Sequence, residues 1–260
     1  MDFMHKINNN PYEDLYWNIA EQTKSVVNVI GGNVQNFHTS AKISEYFSNN
    51  YPVDVKTVLP DALKNKLPPL PNLIFLESTD SGSFDDTEKF KELVESADYN
   101  LLIGDFSKNS ITEKAINNIC KTGKIVITRD AVDNLINSAP EHVLMNENLI
   151  IFASMAQLQK LFRAVYYPKV LLLTQSLMQV AENIHKFTLS YPVSIITLHD
   201  GQMLVAKNGN VNVVPIDKTG YSPITIWSGE MAAKITAMNL FNPDNFLKAS
   251  TAALFAKQSS

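Results

Sequence analysis

The residues with the clearest potential for chemistry are Ser228, Gly229 and Glu230, which follow a β-branched run and open a helical pattern. A serine or glycine at a helix start leaves backbone N–H groups pointing outward. Together with the positive end of the helix dipole, these groups form a site for phosphate or another anion. Glu230 would place a carboxylate beside that anion, where it could act as a base. By itself the pattern is more often that of an ordinary capped helix, whose glutamate only complements the dipole.

The elements that must position these residues read as an α/β protein. Apolar segments predict strands over 25–30, 53–59, 72–76, 99–103, 124–128 and 149–153, and helical patterns lie over 39–47, 84–96, 111–121, 131–137, 155–166 and 170–189. This alternation is typical of a parallel sheet covered by helices on both faces. Ligands of such sheets bind beyond the carboxyl ends of the strands. We therefore expect Gly31-Gly32, Gly104-Asp105, Asp130 and Ala153-Ser154 to line one cleft.

The C-terminal third has a different pattern. Asp200-Gly201 and Asn208-Gly209 predict tight turns between strands over 193–199, 202–206 and 211–216. These strands form an antiparallel meander at the sheet edge, just before the Ser228–Glu230 helix start. A last helix follows from 242 to about 255. Residues 1–24 predict a polar arm or short helix, and 25–260 a single domain without an internal linker.

Composition narrows the class of protein. The chain has 260 residues, a net charge of −4 and only two arginines, Arg129 and Arg163, so nothing points to nucleic acid as a partner. Cys120 is the only cysteine, which excludes a disulfide framework and predicts a small buried side chain. No apolar run reaches the length of a membrane span, and the N-terminus lacks the pattern of a signal peptide. A soluble cytoplasmic protein that does not associate with membranes is expected.

Short motifs follow the predicted strands in chain order. They are GGN at 31–33 with Ser40-Ala41 behind it, LLIGDFS at 101–107, TRDA at 128–131, FASMAQ at 152–157, His199-Asp200, and WSGE at 227–230. This order resembles the ribokinase-like superfamily, and within it the NAD(P)H-hydrate dehydratases, which use ADP or ATP to dehydrate hydrated NADH or NADPH. The resemblance runs from Lys24 to about Leu254. It implies a three-layer α/β/α sandwich with a mostly parallel sheet and an antiparallel hairpin edge.

The resemblance also implies roles for single residues. Glu230 stands where the family has its catalytic aspartate. The implied nucleotide and anion site comprises Thr225, Ser228, Gly229, His199 and Gly104, and the implied substrate site comprises Ala41, Asp130 and Ser154. ATP or ADP with Mg²⁺ is the implied cofactor, NAD(P)H hydrate the implied substrate, and no metal site built from the protein's own side chains is expected. Homo-oligomers are implied as well, with the uncharged surface helix Ala249–Ala256 as a candidate interface.

Several departures from the family pattern leave the activity open. Trp227 replaces a glycine, where an indole would crowd a phosphate and a positive φ would strain the backbone. The histidine and glutamate of the family's substrate turn are absent from 152–157, and His199-Asp200 replaces a Lys-Gly, with His199 expected to face solvent. Three functions therefore remain: a nucleotide-dependent dehydratase, a catalytically inactive relative kept as a binding or assembly module, and a small-molecule kinase.

Overall fold

The computed structural model describes residues 2–19, 25–67, 72–219 and 226–256, and these form ten strands in one sheet. The strands are β1 (Met4–Lys6), β2 (Ser25–Ile30), β3 (Val53–Pro60), β4 (Leu73–Leu76), β5 (Tyr99–Leu102), β6 (Ile125–Thr128), β7 (Leu149–Phe152), β8 (Ser194–His199), β9 (Gln202–Lys207) and β10 (Asn210–Pro215). Their order across the sheet is β1-β10-β9-β8-β7-β6-β5-β2-β3-β4. Strands β2 to β8 are parallel to one another, and β8, β9 and β10 form an antiparallel meander. The predicted mostly parallel sheet with a hairpin edge is confirmed.

Helices cover both faces of the sheet. They are α1 (His38–Asn50), α2 (Glu88–Glu95), α3 (Ser110–Ile119), α4 (Asp130–Asn137), α5 (Met155–Ala164), α6 (Leu177–Ser190), α7 (Ile216–Thr219), α8 (Glu230–Phe241) and α9 (Phe246–Phe255), with 3₁₀ helices at Glu13–Ile19, Asp61–Leu63 and Pro140–Met145. Helices α2 to α6 pack on one face, and α1, α8 and α9 pack on the other. On β5, Leu101 belongs to the core on the side of α1, α8 and α9, and Leu102 belongs to the core on the side of α2 to α6. Strands covered on both faces are mostly apolar, which explains their predominantly apolar sequences. The buried polar exceptions Asn28 of β2 and Asn100 of β5 are paired, because Asn28 Nδ2 donates a hydrogen bond to Asn100 Oδ1 at 2.9 Å.

The strand order reverses at β2. The chain runs outward from β2 to β3 and β4, then returns to place β5 on the other side of β2. A reversal of this kind opens a crevice beyond the carboxyl ends of the two strands, and ligands of open α/β sheets bind there. The crevice lies beyond Ile30 of β2 and Leu102 of β5. We call it the switch-point crevice.

Four element predictions differ from the structure. The last helix begins at Phe246 rather than at 242, because Asn245 caps it, and Asn242 is the C-cap of α8. The N-terminal arm supplies a strand, because β1 pairs in parallel with β10, with Met4 opposite Val211. The helix expected from 170 begins only at Leu177, where Ser176 forms a capping box with Gln179 and fixes the start. Helix α2 begins at Glu88 rather than at 84, because Thr87 caps it. Residues 224 and 225 of the β-branched run before Trp227 lie outside the described residues.

The prediction that Ala249–Ala256 is a surface helix, and therefore a candidate interface, is wrong. Residues 249–254, within α9, are fully buried in the chain itself, packed against α8 and the meander. The small residues of α9 allow the helix to pack closely. The absence of charged residues from 249–254 therefore reflects burial within the chain and not an exposed apolar surface.

Cys120 is buried as expected, and burial raises the pKa of its thiol. Within the described ranges, no helix has both the length and the apolar character needed to cross a lipid bilayer.

Candidate active site

The first turns of α1 contact two charged residues beside the switch-point crevice. Arg129 Nη1 donates a hydrogen bond to Thr39 Oγ1 at 3.0 Å. Lys42 Nζ forms an ion pair with Glu230 Oε1 at 2.9 Å. Thr39 and Lys42 are three residues apart, so they lie on one face of the helix. The helix therefore brings Arg129 and Glu230, which are far apart in sequence, to the border of the same crevice.

Glu230 is the first residue of α8, as the sequence predicts. Gly229 is the N-cap, with φ of 104°, and it has no side chain that could cap the helix itself. This positive φ favours glycine, and a Cβ at Gly229 would also come within 2.2 Å of Ile103 Cδ1, so that the Ile103 side chain would have to move. The first-turn amides and the helix dipole then favour an anion at this end of α8.

Trp227 forms part of the wall next to this helix start. Its half-buried indole ring lies 5.3 Å from the ring of Phe152, the last residue of β7, at an interplanar angle of 30°. Among the described residues, Trp227 is not one of those with positive φ. The expected backbone strain at this position is therefore absent. The indole occupies space on the β7 side of the helix start.

Arg129 is held in place by a network that crosses the crevice. Its Nη2 faces Asp105 Oδ1 at 3.6 Å, and Asp105 Oδ2 also accepts a hydrogen bond from Asn36 Nδ2 at 2.5 Å. The backbone of Arg129 has φ of 54° and ψ of −128°, and Gln157 Nε2 donates to its carbonyl oxygen at 2.9 Å. Strained backbone of this kind concentrates at functional sites. A guanidinium presents a planar fork of donors that matches phosphate or carboxylate.

Sequence reasoning did not select Arg129 as a site residue. The available signals were its rarity, since the chain has two arginines, and its position directly after β6 and before Asp130. Neither signal shows that α1 and β5 approach its side chain. The contact with Thr39 depends on the tertiary structure alone.

Asp130 lies next to Arg129, as the first residue of α4. It does not cap that helix with its side chain. Instead Oδ2 accepts a hydrogen bond from Phe106 N at 3.3 Å. Burial raises the pKa of the Asp130 carboxyl, and the negative charge of Asp105 raises it further, against the hydrogen bond from Phe106. Two neighbouring carboxylates are a donor set that suits Mg²⁺, which typically takes one or two carboxylates together with phosphate oxygens.

The raised pKa predicts how Asp130 affects stability. Between the ordinary pKa of aspartate and the raised one, the folded protein binds more protons than the unfolded chain, so stability falls as pH rises through that interval. We expect Asp130→Asn to increase the free energy of unfolding at neutral pH by on the order of 1 kcal/mol or less. The gain should vanish below the ordinary pKa of aspartate. Urea unfolding across pH measures this, with the exposed Asp80→Asn as control; a gain that is independent of pH would contradict it.

The other predicted site residues are dispersed. Gly104, with φ of 107°, lies in the crevice next to Thr39. Ser154 caps α5 in a capping box with Gln157, which occupies its hydroxyl. Ala41 is exposed on a different face of α1 from Lys42. Thr225 lies outside the described residues. Ser228 is half-buried between Trp227 and Gly229.

The prediction that His199 faces solvent is wrong. The side chain is 7% exposed, and Nε2 lies 2.8 Å from the carbonyl oxygen of Gln175. The irregular segment before α6 passes over the end of β8 and covers the ring. Because the sequence predicts a helix there, it gives no indication that this segment would bury the histidine.

Solved structures share this architecture at low sequence identity. A hypothetical protein of Streptococcus mutans matches with a TM-score of 0.60 and 12% identity, over 90% of this chain and 82% of that one. Adenosine kinase of Anopheles gambiae, solved in complex with P1,P4-di(adenosine-5) tetraphosphate, matches with a TM-score of 0.51 and 9% identity, over 98% of this chain and 90% of that one. No protein-family model matches the sequence, and no curated protein matches it. The chain has a ribokinase-like fold, and a shared fold leaves the function to be argued from the site.

Proposed function

We propose that this protein is a nucleotide-dependent kinase of a small molecule that carries a hydroxyl group. The observation that carries the proposal is the double contact of α1, which holds a carboxylate and an arginine at one crevice through Lys42–Glu230 and Thr39–Arg129. Phosphoryl transfer needs these parts: a base for the hydroxyl and fixed positive charge for the phosphate. The shared architecture with an adenosine kinase supports the proposal at the level of the fold.

In the proposed reaction, Glu230 accepts the proton of the substrate hydroxyl. The hydroxyl oxygen forms a bond to the terminal phosphorus of ATP, and the bond from that phosphorus to the bridging oxygen breaks, so that ADP leaves. The first-turn amides of α8 and the guanidinium of Arg129 stabilise the negative charge on the transferred group. Lys42 orients the carboxylate through its ion pair at 2.9 Å. Mg²⁺, held by Asp105, Asp130 and the phosphates, would neutralise part of the phosphate charge.

A second candidate is an inactive relative that binds a ligand without turning it over. It is favoured by Trp227, whose ring packs on Phe152 on the β7 side of the anion site. If the indole blocks the phosphate, Trp227→Gly should bind nucleotide more tightly than the wild type.

Dehydration of NAD(P)H hydrate gains no support from the described contacts of the site. Ser154 and Gln157 stand at the positions of that family's substrate turn, and their side chains are occupied by hydrogen bonds to each other. That activity remains a prediction from the sequence resemblance.

The first experiment measures thermal unfolding of the full chain with and without Mg-ATP. A ligand that binds only the folded state stabilises it by about 2.7 kcal/mol at 100 times its dissociation constant. We expect a rise in the unfolding temperature for the wild type, a loss of that rise in Arg129→Ala, and an unchanged rise in Arg163→Ala. Arg163 is the matched control, since it is exposed on α5.

Transfer of the terminal phosphate to a panel of sugars, nucleosides and vitamin-like alcohols then identifies the substrate, with NADH hydrate assayed in parallel. Binding together with transfer supports the kinase. Binding without transfer to any acceptor supports the inactive relative. No thermal shift in either the wild type or Trp227→Gly would reject nucleotide binding and with it the kinase.

A further inference from the structure

A cavity of about 60 Å³ lies at the opposite end of the strands from the switch-point crevice. It is bordered by Tyr99, the first residue of β5, by Lys124 just before β6 and by Asn148 just before β7. The pairing of β5 with β6 and of β6 with β7 places these three residues side by side. Asn239 and Leu240 of α8 border the cavity on the helix side. The cavity is therefore distinct from the proposed active site, which lies beyond the carboxyl ends of the strands.

Asn239 presents a hydrogen-bond acceptor to this cavity. Its side chain is only 4% exposed, and Nδ2 donates to Ile235 O at 2.8 Å and to Ser250 Oγ at 2.9 Å. These two bonds use both amide hydrogens and fix the orientation of the amide group. Oδ1 accepts no hydrogen bond from the residues that the structure describes, and it is not fully enclosed by protein atoms. The amide oxygen is therefore open to the cavity.

Tyr99 presents a hydrogen-bond donor to the same cavity. The residue is 8% exposed, and its hydroxyl has no hydrogen-bond partner within the described ranges, although its oxygen is not fully enclosed either. A buried tyrosine hydroxyl usually has a partner. Burial raises the pKa of Tyr99, so the hydroxyl keeps its proton at neutral pH and can donate it. A ligand in the cavity would complete the hydrogen bonds of both Tyr99 and Asn239.

Two lysines bring positive charge to the cavity. Lys207 Nζ donates a hydrogen bond to the carbonyl oxygen of Glu147 at 3.0 Å and lies 5.4 Å from the centroid of the Phe246 ring. An ammonium group has three N–H donors, so Lys207 keeps donors for a ligand. Lys124 and Glu147 border the cavity as well. Two ammonium groups and one carboxylate leave one net positive charge, which favours a ligand with a single negative charge.

We propose that this cavity binds a small monocarboxylate that carries one hydroxyl group. In the proposed complex, the carboxylate accepts hydrogen bonds from the Tyr99 hydroxyl and the lysine ammonium groups, and the ligand hydroxyl donates to Asn239 Oδ1. Leu240 and Pro243 supply apolar wall for the carbon atoms. At roughly 10–15 Å³ for each water-sized group, the cavity has room for about four to six non-hydrogen atoms. The site stands independently of the kinase proposal, because none of its residues belongs to the proposed active site.

The test titrates the full chain with glycolate, propionate and glycolamide at constant ionic strength, followed by ¹H–¹⁵N NMR. Each probe has the same number of non-hydrogen atoms, but propionate lacks the hydroxyl group and glycolamide lacks the negative charge. We expect saturable shifts around Tyr99, Lys124 and Asn239 with glycolate. Propionate should bind roughly 2- to 12-fold more weakly, the value of one neutral hydrogen bond. Glycolamide should lose more, because its bonds to the lysines and to Tyr99 are no longer charge-assisted.

Tyr99→Phe tests the donor, since it removes the hydroxyl and keeps the ring. Glycolate affinity should fall by roughly 10- to 150-fold, the value of a hydrogen bond to a charged group. Tyr166→Phe is the matched control, because Tyr166 is 93% exposed and follows α5 on the other face of the sheet, and it should leave the affinity unchanged. The NMR spectrum of each variant shows directly whether the fold is retained.

Three results would overturn the proposal. They are the absence of saturable glycolate shifts at these residues, an affinity for propionate or glycolamide equal to that for glycolate, and an unchanged glycolate affinity in a folded Tyr99→Phe variant. The first would mean that the cavity holds water only. The second would remove the role of the ligand hydroxyl or of its charge, and the third would remove the role of Tyr99.

Discussion

Replacing Gly31 with alanine should lower the free energy of unfolding by roughly 3 kcal/mol or more, because the added methyl has no space. A Cβ on Gly31 would lie 1.7 Å from the carbonyl oxygen of Ile103. The backbones are fixed there by the hydrogen bonds from Ile103 N to Ile30 O and from Gly31 N to Val58 O. The clash involves backbone atoms, so a side-chain rotation cannot relieve it. The ends of β2 and β5 must separate, and the switch-point crevice lies between them.

The control is Gly201→Ala in the first hairpin turn. Gly201 has φ of 65°, yet no described atom lies within 4 Å of its added Cβ. Gly31 is not one of the described glycines with positive φ, so its substitution tests space rather than backbone conformation. We expect Gly201→Ala to cost about 1–2 kcal/mol, the penalty of a left-handed alanine. Urea unfolding of the two variants measures the difference. A cost for Gly31→Ala no larger than that for Gly201→Ala would show that the strand ends can move apart easily.

The second large effect is on activity. In the phosphoryl-transfer assay, Glu230→Gln should reduce kcat by about 10²- to 10⁴-fold, because glutamine is nearly isosteric but cannot accept the hydroxyl proton. Its stability should change little, since the Lys42–Glu230 pair is partly exposed, and such pairs contribute about 1 kcal/mol or less. An unchanged unfolding midpoint would separate loss of the base from loss of the fold.

Glu141→Gln is the control for this prediction. Glu141 is an exposed glutamate in the 3₁₀ helix before β7, at the opposite end of the strands from the crevice. Glu230→Asp keeps the charge but withdraws it by about one methylene, and a displacement near 1 Å can cost on the order of 100-fold in rate. Full activity in Glu230→Gln would mean that another group takes the proton, and Asp130 would be the next carboxylate to test.

The hairpins show how much a local pattern can determine. Asp200 and Gly201 both have positive φ, as do Asn208 and Gly209, which is the conformation that two-residue turns between twisted strands require. Few residue pairs tolerate it, so the sequence alone places both turns. The parallel strands were predictable for a related reason, because burial on both faces makes their sequences predominantly apolar.

Strand β1 and His199 show where the local pattern carries too little information. The sequence of β1 is polar, with a burial pattern that leaves two of its three residues exposed, and it joins the sheet through backbone hydrogen bonds to β10. Because backbone atoms make these hydrogen bonds, they place no requirement on the side chains of β1, and its sequence shows no alternation that would predict a strand. His199 is covered by Gln175, a residue of an irregular segment, and nothing near the histidine in sequence encodes that cover.

The sequence by itself determined the α/β class, the meander and the helix start at Glu230, because each depends on residues that are close together in the chain. The tertiary structure decided which residues share the crevice. Arg129 and Glu230 border one crevice because the strand order reverses at β2 and α1 lies beside the resulting opening, where Thr39 contacts Arg129 and Lys42 contacts Glu230. Strand order depends on contacts between distant segments, and hydrophobic periodicity does not record those contacts.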